Sequence, residues 1–141
     1  MEEKKTDNLT HLPTLSESNR DRFSSQALEY GTKSPNMGPM AEPDGYAKVT
    51  GPCGDTVEMF LRINKGRIEE ARYTTDGCVS SRAACSAATI LVKGKPVPSG
   101  QLIDPNEILD HLNGLPEESV HCAKLASITL QEAVKNLKEK K

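Results

Sequence analysis

Three short stretches of this 141-residue chain carry side chains suited to soft-metal chemistry: Cys53-Gly54-Asp55, Gly77-Cys78 and His121-Cys122. Thiols, an imidazole and a carboxylate form the soft and borderline donor set that iron and zinc take. The spacing holds no Cys-x-x-Cys and no His-x-x-x-His, so it is not a zinc-finger pattern. A site built from Cys53, Asp55, Cys78, His121 and Cys122 has to be assembled by the fold, from a strand turn and two helix starts. A metal or iron–sulfur site is the leading reading.

Each position has its own chemical reason. Gly51, Pro52 and Gly54 shape a tight turn and keep bulk away from the Cys53 sulfur. Asp55 taken alone reads as a turn aspartate bonding backbone amides; beside Cys53, a ligand role stands next to that reading. Cys78 follows Asp76-Gly77 at the expected start of a long helix. Unpaired amides and the helix dipole stabilise an anion there. Its bland alternative is a small buried hydrophobe. His121 and Cys122 adjoin near the start of the last helix. Neighbours diverge in a helix interior, but near an end both can approach one site. His121 alone reads as a surface histidine. Cys85, two turns after Cys78, lies about 10 Å along the same helix. That is too far for a disulfide with Cys78, and Cys85 reads as a core cysteine packed like alanine. His11 and His111 read as bystanders.

The elements that must position these residues follow from the pattern. A short helix is expected over 21–30, then a Pro- and Gly-rich loop over 32–45. Tyr46–Thr50 reads as a strand. In the second strand, over 57–63, Val57, Met59, Leu61 and Ile63 face one way. Asn64-Lys65-Gly66-Arg67 is the hairpin turn, and a third strand returns over 68–74. Helices are expected over 79–93, 104–112 and 119–138. Pro105 opens the second of these. In the last, Cys122, Ala126, Leu130, Ala133 and Leu137 form one stripe. The fold class is α+β: a small three-stranded antiparallel sheet packed against helices. Residues 1–20 read as a disordered polar tail and 21–141 as one domain.

Charge is close to balanced, with 18 Lys and Arg against 20 Asp and Glu. That argues against a nucleic-acid partner, which needs a clustered basic face. No apolar run reaches the ~18 residues of a membrane span. The start lacks a signal-peptide core, so a cytoplasmic location is expected. There, cysteines read as ligands or reactive thiols before disulfides.

The ordered set Pro35-Asn36-Met37-Gly38, Gly51-Pro52-Cys53-Gly54-Asp55, Gly77-Cys78, Lys93-Gly94-Lys95, Leu115-Pro116 and His121-Cys122-Ala123 resembles the IscU/NifU-type scaffolds of iron–sulfur cluster assembly. The resemblance spans roughly residues 30–138. It implies that Cys53, Cys78 and Cys122 are cluster thiolates and sulfur acceptors. It implies that Asp55 keeps a 2Fe–2S cluster labile, and that His121 is an alternative or auxiliary ligand. The implied partners are a cysteine desulfurase, an electron donor and recipient apoproteins, with a homodimer left open. Bacterial Isc-type members carry a Pro-Pro-Val-Lys loop read by an Hsp70-type chaperone. Here Glu117-Glu118-Ser119 follow Leu115-Pro116, which removes the basis for expecting that chaperone. Cys85 stands where the family commonly has serine or another small residue. The extra segment of the SufU type between Cys78 and His121 is absent.

Two other functions are open to the same residues. One is a zinc-binding interaction domain, with Zn2+ in a tetrahedral site of three cysteines plus Asp55 or His121. The other is a Cys–His hydrolase or transferase, with Cys78 as nucleophile and His121 as base. No oxyanion-hole or substrate motif supports the latter. A scaffold is a carrier and not an enzyme.

Overall fold

The computed structural model describes residues 23–52, 54–97 and 103–137. The expected N-terminal tail, His11 and Cys53 lie outside the described residues. Helix α1 is Ser25–Lys33. It starts later than residue 21 because Ser24 caps it: the Ser24 hydroxyl accepts from the Ala27 amide at 3.0 Å. It also ends later than Tyr30. Ser34, in the left-handed conformation, closes it by donating its amide to the Tyr30 carbonyl, so the loop begins only there.

Strands β1 (Gly45–Thr50), β2 (Thr56–Asn64) and β3 (Arg67–Thr75) form one antiparallel sheet in the order β1-β2-β3. The Lys65-Gly66 turn joins β2 to β3, with φ of 56° and 77°, as a two-residue primed hairpin needs. Val57, Met59, Leu61, Ala71 and Tyr73 are buried. The alternation expected in β2 holds for the first three. It weakens at Ile63, which is half-buried, because the register shifts between Arg62 and Ile63.

Helix α2 (Val79–Val92) lies on that inner face and packs against α1, β3 and the last helix. Ala83, Ala84, Cys85, Ala87 and Ala88 are all buried. Small side chains let the neighbouring elements come close. A methyl on Gly31 of α1 would lie 2.7 Å from the Val79 carbonyl oxygen. Helix α3 (Pro105–His111) opens on a capping box, Asp104 and Glu107 each bonding the other's backbone amide. A 3-10 turn, Glu117–Ser119, leads into α4 (Val120–Lys135). This helix ends before the expected residue 138, which lies outside the described residues. Cys122, Ala126, Leu130 and Ala133 form its buried stripe, and Leu137 packs at its margin. Among the described residues, no helix is long and apolar enough to cross a membrane. The three connections that carry candidate ligands, β1–β2, β3–α2 and the entry to α4, meet at one end of this sandwich.

Candidate metal centre

The β1–β2 turn is folded on itself and on α4. The Gly51 amide donates to the Asp55 carbonyl at 2.9 Å, and the Gly54 amide to the Gly51 carbonyl at 3.0 Å. Gly54 has φ +94°, a conformation that side chains resist. Gly51 rests on Leu125 of α4: a methyl added to it would sit 3.1 Å from Leu125 Cδ2. Asp55 thus stands immediately before β2, as expected.

The β3–α2 connection is stitched to the same strand start. Asp76 Oδ1 accepts from the Thr56 amide at 2.8 Å. The Thr75 hydroxyl donates to the Thr56 carbonyl at 2.8 Å and accepts from the Gly77 amide at 3.1 Å. These bonds tie the turn that bears Asp55 to the turn that bears Cys78. Sequence reasoning passed over Thr56 and Thr75 and gave Asp76 no role of its own. The threonines look like ordinary strand residues, and only the register, which sets Thr75 opposite Val57, brings Thr75 within reach of Thr56.

Cys78 is the N-cap of α2 with extended backbone, and its side chain makes no capping hydrogen bond. It is exposed, so its sulfur is open to a partner or an ion at a helix N-terminus. Cys122, three residues into α4, is 5% exposed. His121 Nε2 lies 3.7 Å from Cys122 Sγ, so these neighbours do converge at the helix start. Among the described residues, no hydrogen bond joins His121 to Cys78.

Asp55 and Cys122 meet through a residue the sequence did not single out. Ser81 of α2 donates its hydroxyl to Asp55 Oδ2 at 2.9 Å, and its oxygen lies 3.5 Å from Cys122 Sγ. Gly77 is pressed against this pair. A methyl there would lie 2.6 Å from Ser81 Cβ and 2.8 Å from Asp55 Oδ2, and would collide with Ser81 Oγ. Cys78 is the next residue after Gly77 in the chain. Ser80 Oγ donates to Ser119 Oγ at 3.0 Å, joining the first turn of α2 to the entry of α4. Nothing in a serine-rich helix start distinguishes Ser81; only folding brings Asp55 and Cys122 to it.

Cys85 lies within the core at 1% exposure. Burial pushes its thiol far up, and the neighbouring Cys122 and Asp55 add to the shift. His111 is engaged elsewhere: its Nε2 is 3.0 Å from the Tyr30 hydroxyl, and the two rings meet at a tilt, with centroids 5.5 Å apart.

Among the described residues, no three His, Cys, Asp or Glu side chains close into a metal cage. Asp55, Cys78, His121 and Cys122 instead stand around one end of the fold, carried by three connections. The donor set fits an iron–sulfur cluster or a zinc ion: thiols, one imidazole, one carboxylate. Gly77 lets the β3–α2 connection pass close against Ser81 and Asp55.

Residues 23–141 match the family model described as "NifU-like N terminal domain". An Archaeoglobus fulgidus protein named iron-sulfur cluster assembly scaffold protein IscU 1 is 30% identical over 113 residues, covering 79% of this chain and 74% of that protein. The IscU scaffold protein of Azotobacter vinelandii is 32% identical over 124 residues, covering 84% of this chain and 96% of that one. In three dimensions the chain is similar to the N-terminal part of a NifU-like protein from Brucella abortus. The TM-score is 0.63 at 18% identity, over 82% of this chain and 94% of that one. That likeness shows a shared α+β fold.

Proposed function

The chain belongs to the NifU-like N-terminal domain family, and from that premise we propose that it is a scaffold on which a labile 2Fe–2S cluster is built and handed to apoproteins. The observation that carries this reading is the meeting of Asp55, Ser81, Cys122 and His121 beside Gly77-Cys78. Cys53, Cys78 and Cys122 supply the thiolates, and His121 is an auxiliary donor. Asp55 offers a hard oxygen where a fourth thiolate would hold the cluster more firmly. The cluster is cargo, so weak retention serves the function. The protein carries and does not catalyse.

The donor chemistry sets the partners. A cysteine desulfurase delivers sulfur at the persulfide level, and each such sulfur takes two electrons to become sulfide. Two ferrous ions going to ferric supply half of the electrons for two sulfurs, and an electron donor supplies the rest. Exposed Cys78 suits sulfur acceptance, because thiol exchange requires access. Recipient apoproteins complete the route, and the cytoplasm is the expected setting. Zn2+ occupies the same donors in the absence of iron and sulfide.

The test is anaerobic reconstitution with iron, cysteine and a desulfurase, followed by visible absorption, and then by transfer to an apo-ferredoxin. Charge-transfer bands that move to the acceptor support the reading. Zinc binding without any cluster accumulation overturns it in favour of a zinc domain.

A further inference from the structure

We propose that Ser81 is a positioning residue of the metal site: its hydroxyl fixes the Asp55 carboxylate beside Cys122 and so sets how the site grips a metal ion. The inference deepens the scaffold reading and rests on it.

Three observations converge on this one side chain. First, Ser81 is 1% exposed and holds Asp55 Oδ2 at 2.9 Å. A hydroxyl has one proton, and that proton is given to the carboxylate. One oxygen of Asp55 is thereby committed to the serine. Second, the same Ser81 oxygen lies 3.5 Å from Cys122 Sγ. The donors concerned come from the β1–β2 turn and from α4, 67 positions apart in the chain, and Ser81 of α2 touches both. Third, Gly77 leaves no slack. With only hydrogen on its Cα, it lies so close that a methyl would stand 2.8 Å from Asp55 Oδ2 and strike the serine oxygen. The carboxylate is therefore held from one side by a hydrogen bond and limited on the other by backbone.

Carboxylate ligands are ordinarily oriented by such outer hydrogen bonds, and removing one costs about 10–100-fold in metal affinity. Without the hydroxyl, Asp55 regains rotamer freedom that metal binding must take away again. Ser81 touches neither iron nor sulfide in this scheme. Its effect passes entirely through Asp55 and Cys122.

The experiment titrates the reduced, metal-free full chain with Co2+ alone. Thiolate-to-cobalt charge-transfer bands report sulfur ligation, and the ligand-field bands report the oxygen donor. Ser81→Ala is expected to weaken Co2+ binding about tenfold and to shift the ligand-field bands. In an Asp55→Ala background the same serine change is expected to cost less than about twofold, because coupled residues are non-additive. Alanine is a better helix former than serine, so α2 persists, and far-UV circular dichroism checks this. Gly77→Ala is the second variant. It keeps the hydroxyl but wedges the pair apart, and Gly77 does not have a positive φ. It is expected to reproduce the loss and the spectral shift.

Wild-type affinity and spectrum in Ser81→Ala would overturn the inference. So would an equal loss with and without Asp55, which marks a merely structural serine. So would an unperturbed site in Gly77→Ala. In each of these cases the wild type still builds a cluster, so the scaffold reading survives. If the wild type neither binds Co2+ nor builds a cluster, the scaffold reading falls and this inference falls with it.

Discussion

Removing the Cys85 sulfur should change stability with opposite sign at neutral and alkaline pH. The thiol is 1% exposed among Ala84, Ala88 and the other core residues. Cys85→Ala deletes one buried heavy atom, which costs about 1 kcal/mol at pH 7. The alkaline effect comes from titration. Burial, with help from Cys122 and Asp55, raises the folded-state pKa well above the ordinary 9.0. In the folded protein the thiol keeps its proton, whereas the unfolded chain loses it near 9.0. Stability is therefore fully present below that pH and falls above it, by about 1.4 kcal/mol per pH unit. By pH 10.5 the wild type has given up about 2 kcal/mol through this group, while Cys85→Ala has given up none. The two stability curves should cross near pH ~9.6, where the lost proton linkage equals the ~1 kcal/mol of the deleted atom. Tyr73 is raised mainly by burial and is present in both proteins; the smaller part that Cys85 adds to its shift is lost in Cys85→Ala. The assay is urea denaturation of reduced, metal-free protein at pH 7 and 10.5. Parallel curves with no crossing would refute a buried, proton-retaining Cys85. The same burial predicts that iodoacetamide leaves this thiol untouched in the native protein.

Three further outcomes follow from the site. Cys53→Ser, Cys78→Ser and Cys122→Ser should each abolish stable cluster accumulation in anaerobic reconstitution, while Cys85→Ala retains it; a wild-type visible spectrum from any of the three serine variants removes that residue from the ligand set. Asp55→Ala should lengthen the life of a reconstituted cluster in air and slow its transfer to an apo-acceptor, because the hard oxygen donor is gone; faster bleaching would reduce Asp55 to a turn residue. Saturating Zn2+ should raise the melting temperature of the reduced protein, since the metal ties together connections that are apart in the unfolded chain. At one hundred times Kd the gain is about 2.7 kcal/mol, and an unchanged melting curve would count against a shared site.

The sheet and its hairpin were legible because period and turn chemistry agree. Val57, Met59 and Leu61 alternate, and Lys65-Gly66 sits where two strands must reverse. The start of α3 was equally legible, because Asp104, Pro105 and Glu107 are local signals read by their own backbone. The start of α1 lies later than expected because Ser24 caps it, its hydroxyl also donating to the carbonyl of Leu112, 88 positions away. Ile63 escaped the alternation because a bulge is a property of two strands together. At the site, Asp55, Cys78, His121 and Cys122 stood out by chemistry alone. Ser81 did not, since its partners are 26 and 41 positions away.

The outer edge of β3 has a consequence for how this molecule can associate. Near one end, the Gly38 amide donates to the Tyr73 carbonyl at 2.7 Å and the Tyr73 amide to the Asn36 carbonyl at 3.1 Å. Near the other, the Ile68 amide donates to the Lys95 carbonyl at 2.9 Å and the Gly94 amide donates to the Ile68 carbonyl at 2.7 Å. The edge is thus plugged twice, and Glu69, Glu70 and Arg72 put charge on the stretch between. On the opposite edge, Asn136 caps the Tyr46 carbonyl at 3.1 Å and Lys48 stands exposed. Strand addition by another chain has little free ladder to start from. The flanks of this small sheet therefore offer little to a partner strand.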